Sequence, residues 1–399
     1  MNFDKTIYTK NQFGKIRFIR IYTEKNLIYQ ESGLLNGKIN KQNPSICKSK
    51  NIGKKNETTS EEQAILEAER KYKNKLKRGF YDKIEDIPNN IQILPMLAKD
   101  YYKETKNKNL IQKYNLNNNS KIALQPKLDG MRCLIYVEFN NGDYEIKLIS
   151  RDGKDIIKTS NNTIKHIFNY FNEIIKSNNN LLNFFKKYKI VLDGELYSHD
   201  LNFQEIISAI KKYSNNTNKI YYYIYDCFSI IKPFLNFNER YKILKNELNE
   251  IFNNENIFKL VETNFVNCEI NLDIIIENKL NELISNNYEG LIIRLINKNY
   301  IPNSRSNSLL KCKKFKDNVY KIIDIISEEK RPNQGKIRCY CPKTNKEFNC
   351  GMKFSHEIRK DFLNKKEKYI GKNAEIRFFE YTNSGIPRYP VCYGIRIDK

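Results

Sequence analysis

The stretch QPKLDGMRCL, residues 125–134, reads as a strand broken by charge. Among 70 lysines and arginines in 399 residues, a lone lysine carries no signal. Lys127 differs because a proline precedes it, an Asp129-Gly130 turn follows it, and Arg132 stands close by. At its ordinary pKa near 10.4, a lysine is neutral in roughly one molecule in 2,500 at pH 7 and is a poor nucleophile. Desolvation and neighbouring cations both lower that value, and Arg132, Lys311 and Lys313 are the candidate cations.

Further along the chain, more charges sit within or at the ends of apolar strand-like runs: Arg151 in LISRDGK, Glu195 in VLDGELY, Glu289 in YEGLIIR, and Lys311 with Lys313 in LLKCKKFKD. One such residue is more often a satisfied structural ion, whereas five such stretches together point to a site. Period-two geometry puts Lys311 and Lys313 on one face of a strand, with Leu310 and Cys312 on the other. Two cations aimed together suit an anionic ligand such as a triphosphate. Glu195 and Glu289 then suit the Mg²⁺ that accompanies it. In the bland alternative the carboxylates simply neutralise the lysines.

The formal charge of +24 favours a polyanionic partner, because phosphate contacts release condensed counterions. Abundant Lys, Asn, Ile and Tyr also follow from an AT-rich genome. There is no secretory leader and no run of 18 apolar residues, so a soluble, intracellular protein that neither crosses nor binds a membrane is expected. Cys133, Cys227 and Cys312 lie singly in apolar runs, where a thiol packs as a small hydrophobe. Cys339, Cys341 and Cys350 lack paired zinc-ligand spacing, and His166, His199 and His356 share no motif.

Three segments are expected. In 1–82, GKIRFIRIYT and NLIYQES read as strands. TSEEQAILEAERKYKNKL reads as a capped helix with Ala64, Ile65, Ala68, Tyr72 and Leu76 on one side and Gly79 as its stop. DKIEDIPNN is a linker. In 92–315, strands alternate with helices; MRCLIYVEF and YEIKLIS form a hairpin at Asn141-Gly142, and TIKHIFNYFNEIIKS is an amphipathic helix. In 316–399, NVYKIIDIIS, KIRCYCP, KEFNCGM and AEIRFFEY with the helix HEIRKDFLNK suit a small OB-like barrel. The fold class is α+β, a mixed domain followed by a barrel.

KLDGMR resembles the K-x-D-G-x-R motif of covalent nucleotidyltransferases. It is followed in that superfamily's order by SRDG, DGEL, YIYD, EGLIIR, LLKCKKFKD and a closing RIDK. With PMLAKDYY before the motif, the set is similar to ATP-dependent DNA ligases, particularly compact viral and phage forms, over residues 95 to 399. The resemblance implies a nucleotidyltransferase domain with antiparallel sheets, an OB-fold domain and a reaction through lysyl-AMP. Lys127 would carry the AMP, Gln125 read the adenine edge, and Tyr225 stack on the base. Glu195 would contact ribose or metal, Glu289 the metal, and Lys311 and Lys313 the phosphates. Arg132, in the nucleotide set, would also join Arg151 on the nick 5′-phosphate. Arg396, Asp398 and Lys399 would orient the pyrophosphate.

The same resemblance implies ATP and a divalent metal, Mg²⁺, as cofactors. It implies nicked duplex DNA as substrate, a monomer, a role in DNA replication, repair or recombination, and, for a viral protein, the factory, cytoplasm or nucleus of a host cell. The first 82 residues are similar to the WGR-type DNA-binding module of other DNA-end enzymes, without the Trp and Arg of that name. With the closing motif at Lys399, nothing beyond it is expected to help the barrel hold DNA. The alternatives are a capping-type guanylyltransferase using GTP and a catalytically silent DNA-binding protein of the same fold.

Overall fold

In the computed structural model, residues 2–10, 14–53, 56–76, 79–87, 93–140, 142–159, 163–248, 257–328 and 331–396 are described. The chain divides into two units, Met1–Lys311 and Cys312–Lys399.

The amino-terminal segment is one sheet backed by one helix. Strands β1 (Asp4–Lys10), β2 (Ile16–Glu24) and β3 (Leu27–Leu34) pair antiparallel in order, and the short β4 (Asn40–Lys41) and β5 (Ser45–Ile46) both pair with β3. Alternation along β2 buries Ile19 and Ile21, which pack with Ile7 and Ile28 against Ala64 and Ala68 of the helix Ser60–Leu76. That helix opens with a capping box: the Glu62 amide donates to Thr59 Oγ1 at 3.2 Å, and Glu62 Oε2 accepts from the Thr59 amide at 2.8 Å.

Two five-stranded sheets fill the middle of the chain. Their strands are β6 (Leu97–Asp100), β7 (Lys121–Lys127), β8 (Met131–Asn140), β9 (Asp143–Ser150), β10 (Ile190–Tyr197), β11 (Tyr221–Ser229), β12 (Phe258–Leu260), β13 (Asn264–Asn267), β14 (Gly290–Leu295) and β15 (Arg305–Cys312). One sheet runs β12-β11-β10-β8-β9, the other β13-β7-β14-β15-β6. The hairpin β8–β9 forms as its turn residues predict, with Gly142 at φ +97°.

The first sheet is covered on both faces, which is why its strands read as nearly unbroken apolar runs. Cys133, Ile135 and Leu192 face a core completed by helices such as Lys165–Ser177, whose Ile167, Phe171 and Ile175 form the buried stripe. On the opposite face Leu134, Tyr136, Val191 and Phe228 pack with Met96, Tyr300 and Leu309.

The carboxy-terminal unit is a closed barrel of β16 (Lys316–Glu328), β17 (Arg331–Cys341), β18 (Lys346–Met352), β19 (Asn373–Phe378) and β20 (Val391–Arg396), ordered β16-β17-β18-β20-β19. The helix His356–Asn364 lies between β18 and β19 in the chain. Ile322, Ile337, Ile376, Cys339, Cys350 and Cys392 fill the interior. Its closing strand β20, missed by the apolar pattern, carries Arg396. All nine cysteines are free and buried. Among the described residues no helix is long and apolar enough to cross a membrane.

Candidate active site

Lys127 is the last residue of β7, opposite Gly290 of β14. The Glu289 amide donates to the Lys127 carbonyl at 3.0 Å, and the Glu289 carboxylate pairs with Lys127 Nζ. Backbone and side chain are thus tied to the same neighbour. The Lys127 side chain is 21% exposed and that of Glu289 only 5%. Burial lowers the pKa of the amine; Glu195 and Asp129 oppose this, while Arg132 and Arg151 add to it.

The Asp129-Gly130 turn rests directly on β10. A Cβ on Gly130 would lie 2.3 Å from the Leu196 carbonyl oxygen and 2.8 Å from Glu195 Cγ, so glycine is required for this approach. Gly194 is equally confined: its Cβ would come within 2.4 Å of the Tyr223 carbonyl oxygen. A register shift at Asp193/Gly194 precedes Glu195 in the pairing with β11. Tyr225 Oη donates to Glu195 Oε2 at 3.2 Å. Burial pushes the Glu195 carboxyl up to about 7, with Lys127 and Arg132 pulling the other way.

Lys311, on β15 opposite Asp100, is near enough to Lys127 to feel its charge. Burial lowers the Lys311 pKa first; Lys127, Arg305 and Arg151 lower it further, and Asp100 opposes them. Arg151 is exposed in the turn after β9 and acts on both lysines. Lys127, Glu195, Glu289, Arg151 and Lys311 therefore lie within contact or electrostatic reach of one another around Lys127.

Other candidates are committed inside the protein. Arg132 donates to both Asp193 oxygens at 2.7 and 2.6 Å and to the Met96 carbonyl at 3.0 Å. Its guanidinium also lies 5.0 Å from the Tyr225 ring centroid. Gln125 is 1% exposed, with both ends of its amide hydrogen-bonded within the domain. The sequence reading missed the cluster behind it, Asp226 with Arg240 and Arg294. Asp226 in YIYDCF and Arg294 in LIIRL carried the same signal as Lys127, an ion in an apolar strand; Arg240, in the helix Phe237–Lys242, carried none.

In the second unit, Lys313 lies past the end of β15 at Cys312, not on the strand, with Nζ 4.8 Å from the Phe379 ring centroid. The expected shared strand face of Lys311 and Lys313 is corrected accordingly. Arg396 donates from Nε to Glu375 Oε1 at 2.9 Å. Asp398 and Lys399 lie outside the described residues.

Among the described residues no cluster of three or more His, Cys, Asp or Glu is arranged to hold a metal. The carboxylates Glu195 and Glu289 still fit Mg²⁺ in particular, which keeps several waters and commonly takes one or two protein carboxylates together with substrate phosphates.

Residues 95–313, more than half of the chain, match the model of the ATP-dependent DNA ligase domain, and residues 333–396 match that of the DNA ligase OB-like domain. DNA ligases of African swine fever virus are 29% identical over 311 residues, covering 75% of this chain. The chain spans 65% of the length of these curated relatives. Among solved structures, Pmar-Lig_Pre aligns with a TM-score of 0.62 at 19% identity, over 84% of this chain and 71% of its own. A Lig E DNA ligase, described as binding DNA with a minimal scaffold, aligns at 0.51 and 19% identity, over 77% of this chain and all of its own. Motif order, sheet architecture, barrel and family match agree: the chain belongs to the family of ATP-dependent DNA ligases.

Proposed function

We propose that the protein seals 3′-hydroxyl/5′-phosphate nicks in duplex DNA, using ATP and a divalent metal, through a lysyl-AMP intermediate. The observation that carries this reading is the partly buried Lys127 amine, its pKa lowered, facing Glu289 and close to Lys311 and Arg151.

In the first step the neutral Nζ attacks the α-phosphorus of ATP. A P–N bond forms, the bond to pyrophosphate breaks, and the amine gives up a proton to water. In the second, the nick 5′-phosphate oxygen attacks the same phosphorus and Lys127 leaves with a proton. In the third, the 3′-hydroxyl attacks the 5′-phosphorus, its proton is lost and AMP departs. Lys311 and Lys313 hold phosphate charge, and electrostatic stabilisation with positioning supplies most of the acceleration. Mg²⁺ held by Glu195 and Glu289 would neutralise charge on the phosphates.

Tyr225 stacks on the base. Of the two arginines assigned to the nick phosphate, exposed Arg151 is the better placed, since Arg132 is occupied by Asp193. Arg396, Asp398 and Lys399 orient the pyrophosphate. The three segments 1–82, 92–315 and 316–399 act as DNA-binding module, adenylation domain and OB-fold domain of a monomer.

Incubation with Mg²⁺ and α-labelled ATP should give a covalent adduct on a denaturing gel. The label should be lost in Lys127→Ala and released by pyrophosphate. A nicked duplex should then be sealed. Absence of both adduct and sealing in the folded wild-type protein defeats the reading.

A further inference from the structure

The loop between β14 and β15 turns one side chain towards β10. Tyr300 is 2% exposed, its ring lies on that of Phe228 with centroids 4.4 Å apart, and its hydroxyl reaches two groups. Oη accepts from the Met96 amide at 3.0 Å and donates to Asp193 Oδ2 at 2.6 Å. An amide N–H only donates, so the hydroxyl proton is committed to the carboxylate.

From Asp193 the hydrogen bonds close into a ring. Asp193, fully buried, accepts from Arg132 Nε at 2.7 Å and Nη2 at 2.6 Å, and Arg132 Nη2 also donates to the Met96 carbonyl at 3.0 Å. The circuit runs from the Met96 N–H through Tyr300, Asp193 and Arg132 to the Met96 C=O. Both backbone groups of one buried residue are satisfied in this way, and four distant chain segments are tied together. Oδ2 takes two donors, which fixes the carboxylate plane. A guanidinium fork bonded to both oxygens of a fixed carboxylate has one orientation.

What the ring leaves over is the other end of the guanidinium. Nε and Nη2 are spent, whereas Nη1 has no hydrogen-bond partner among the described residues, and the side chain is 17% exposed. Arg132 stands opposite Glu195 in the pairing of β8 with β10, and its guanidinium is 5.0 Å from the Tyr225 ring centroid. Its charge acts on both Lys127 and Glu195. Two N–H groups of fixed direction near the nucleophile suit an anionic oxygen.

We propose that Tyr300 is a positioning residue of the site: through Asp193 it sets the Arg132 fork so that Nη1 donates to a phosphate oxygen of the reacting substrate. This rests on the ligase reading above. The oxygen belongs to the nucleotide or to the nick, and the two half-reactions tell these apart.

The test measures single-turnover rates of the full chain in two arms at saturating substrate, with melting curves to confirm folding. One arm is labelling of the protein by α-labelled ATP; the other is transfer of AMP from labelled protein to a nicked duplex. Tyr300→Phe removes one oxygen and keeps the ring on Phe228. It should slow at least one arm by about tenfold or more. A loss in labelling assigns the oxygen to the nucleotide, and a loss in transfer assigns it to the nick. In an Arg132→Lys background, which keeps a cation but has no fork to orient, the same change should cost less than about twofold. Asp193→Asn keeps the shape but not the charge that holds the fork, and it enters the same cycle if Tyr300→Phe does not fold. Equal losses from Tyr300→Phe in wild type and in Arg132→Lys would mean a structural role alone and overturn the proposal. So would a folded Tyr300→Phe protein with both rates unchanged. A wild type that neither labels nor seals instead removes the ligase reading on which the proposal stands.

Discussion

Two ionic clusters occupy neighbouring strands of one domain and are built to different ends. Around Asp226, two guanidiniums, a carboxylate and an amide match donor to acceptor with almost no exposure. Around Lys127, the cations Lys311 and Arg151 act on the same amine as the carboxylates Glu195 and Glu289, and Lys127, Lys311 and Arg151 are partly or fully exposed. An ion in an apolar strand thus means structure in one case and chemistry in the other. What separates them is access: the first cluster is closed to solvent, whereas Lys127, Lys311 and Arg151 keep exposed surface that a ligand can use.

The sharpest way to break this contrast is to remove one member of each cluster. Lys127→Ala should abolish labelling, a loss of more than about 10³-fold. It should lower the melting temperature less than Asp226→Ala does, because it strands one carboxylate, Glu289, beside a partly exposed position rather than two buried guanidiniums. Asp226→Ala should do the reverse in rank, destabilising by about 3–5 kcal/mol because two buried guanidiniums lose their counter-ion. If chemical denaturation finds Asp226→Ala no less stable than Lys127→Ala, the distinction fails. Next in size, Gly130→Ala drives a methyl into the Leu196 carbonyl and Glu195. It should slow labelling by about 10²-fold and destabilise by about 1–3 kcal/mol, read from stopped assays and urea melts.

A smaller effect sharpens the comparison through pH. Glu195 has a folded-state pKa raised to about 7, so between the ordinary carboxylate range and about 7 the folded state holds a proton that the unfolded chain has released. Its contribution to stability therefore falls as pH rises through that window and is flat above it. Glu195→Gln should remove this part of the slope in melts taken from pH 4 to 8; an unchanged slope would mean Glu195 does not titrate there. Smallest of all, Arg377→Ala breaks a bidentate but exposed pair with Asp317 and should cost less than about 1 kcal/mol by urea melt.

Much of this was legible before any coordinates. Apolar strand-like runs on either side of an Asn-Gly turn located the β8–β9 hairpin, and a cap with helical spacing located Ser60–Leu76, because both depend on neighbours in sequence. The charges around Lys127 were found because apolar strands exclude ions without a reason. The strand β20 was not found, since only Cys392 and partly covered residues mark it and its register is set by β18 and β19. The occupation of Arg132 and Gln125 was also invisible. Their partners, Asp193, Arg294 and Thr263, lie 61, 169 and 138 residues away, and no local pattern reports such pairing.

The burial of every cysteine has a practical side. Five thiols lie in Met1–Lys311 and its adjoining strand end, at Cys47, Cys133, Cys227, Cys268 and Cys312, and four lie in the barrel, at Cys339, Cys341, Cys350 and Cys392. A thiol reagent added to the native protein can react only as each region opens, so the rates give a local opening free energy for sheet and barrel separately. The molecule carries its own gauge of where it breathes. The same silence at the surface makes any single cysteine placed there, beside Arg151 for example, a clean attachment point for a probe.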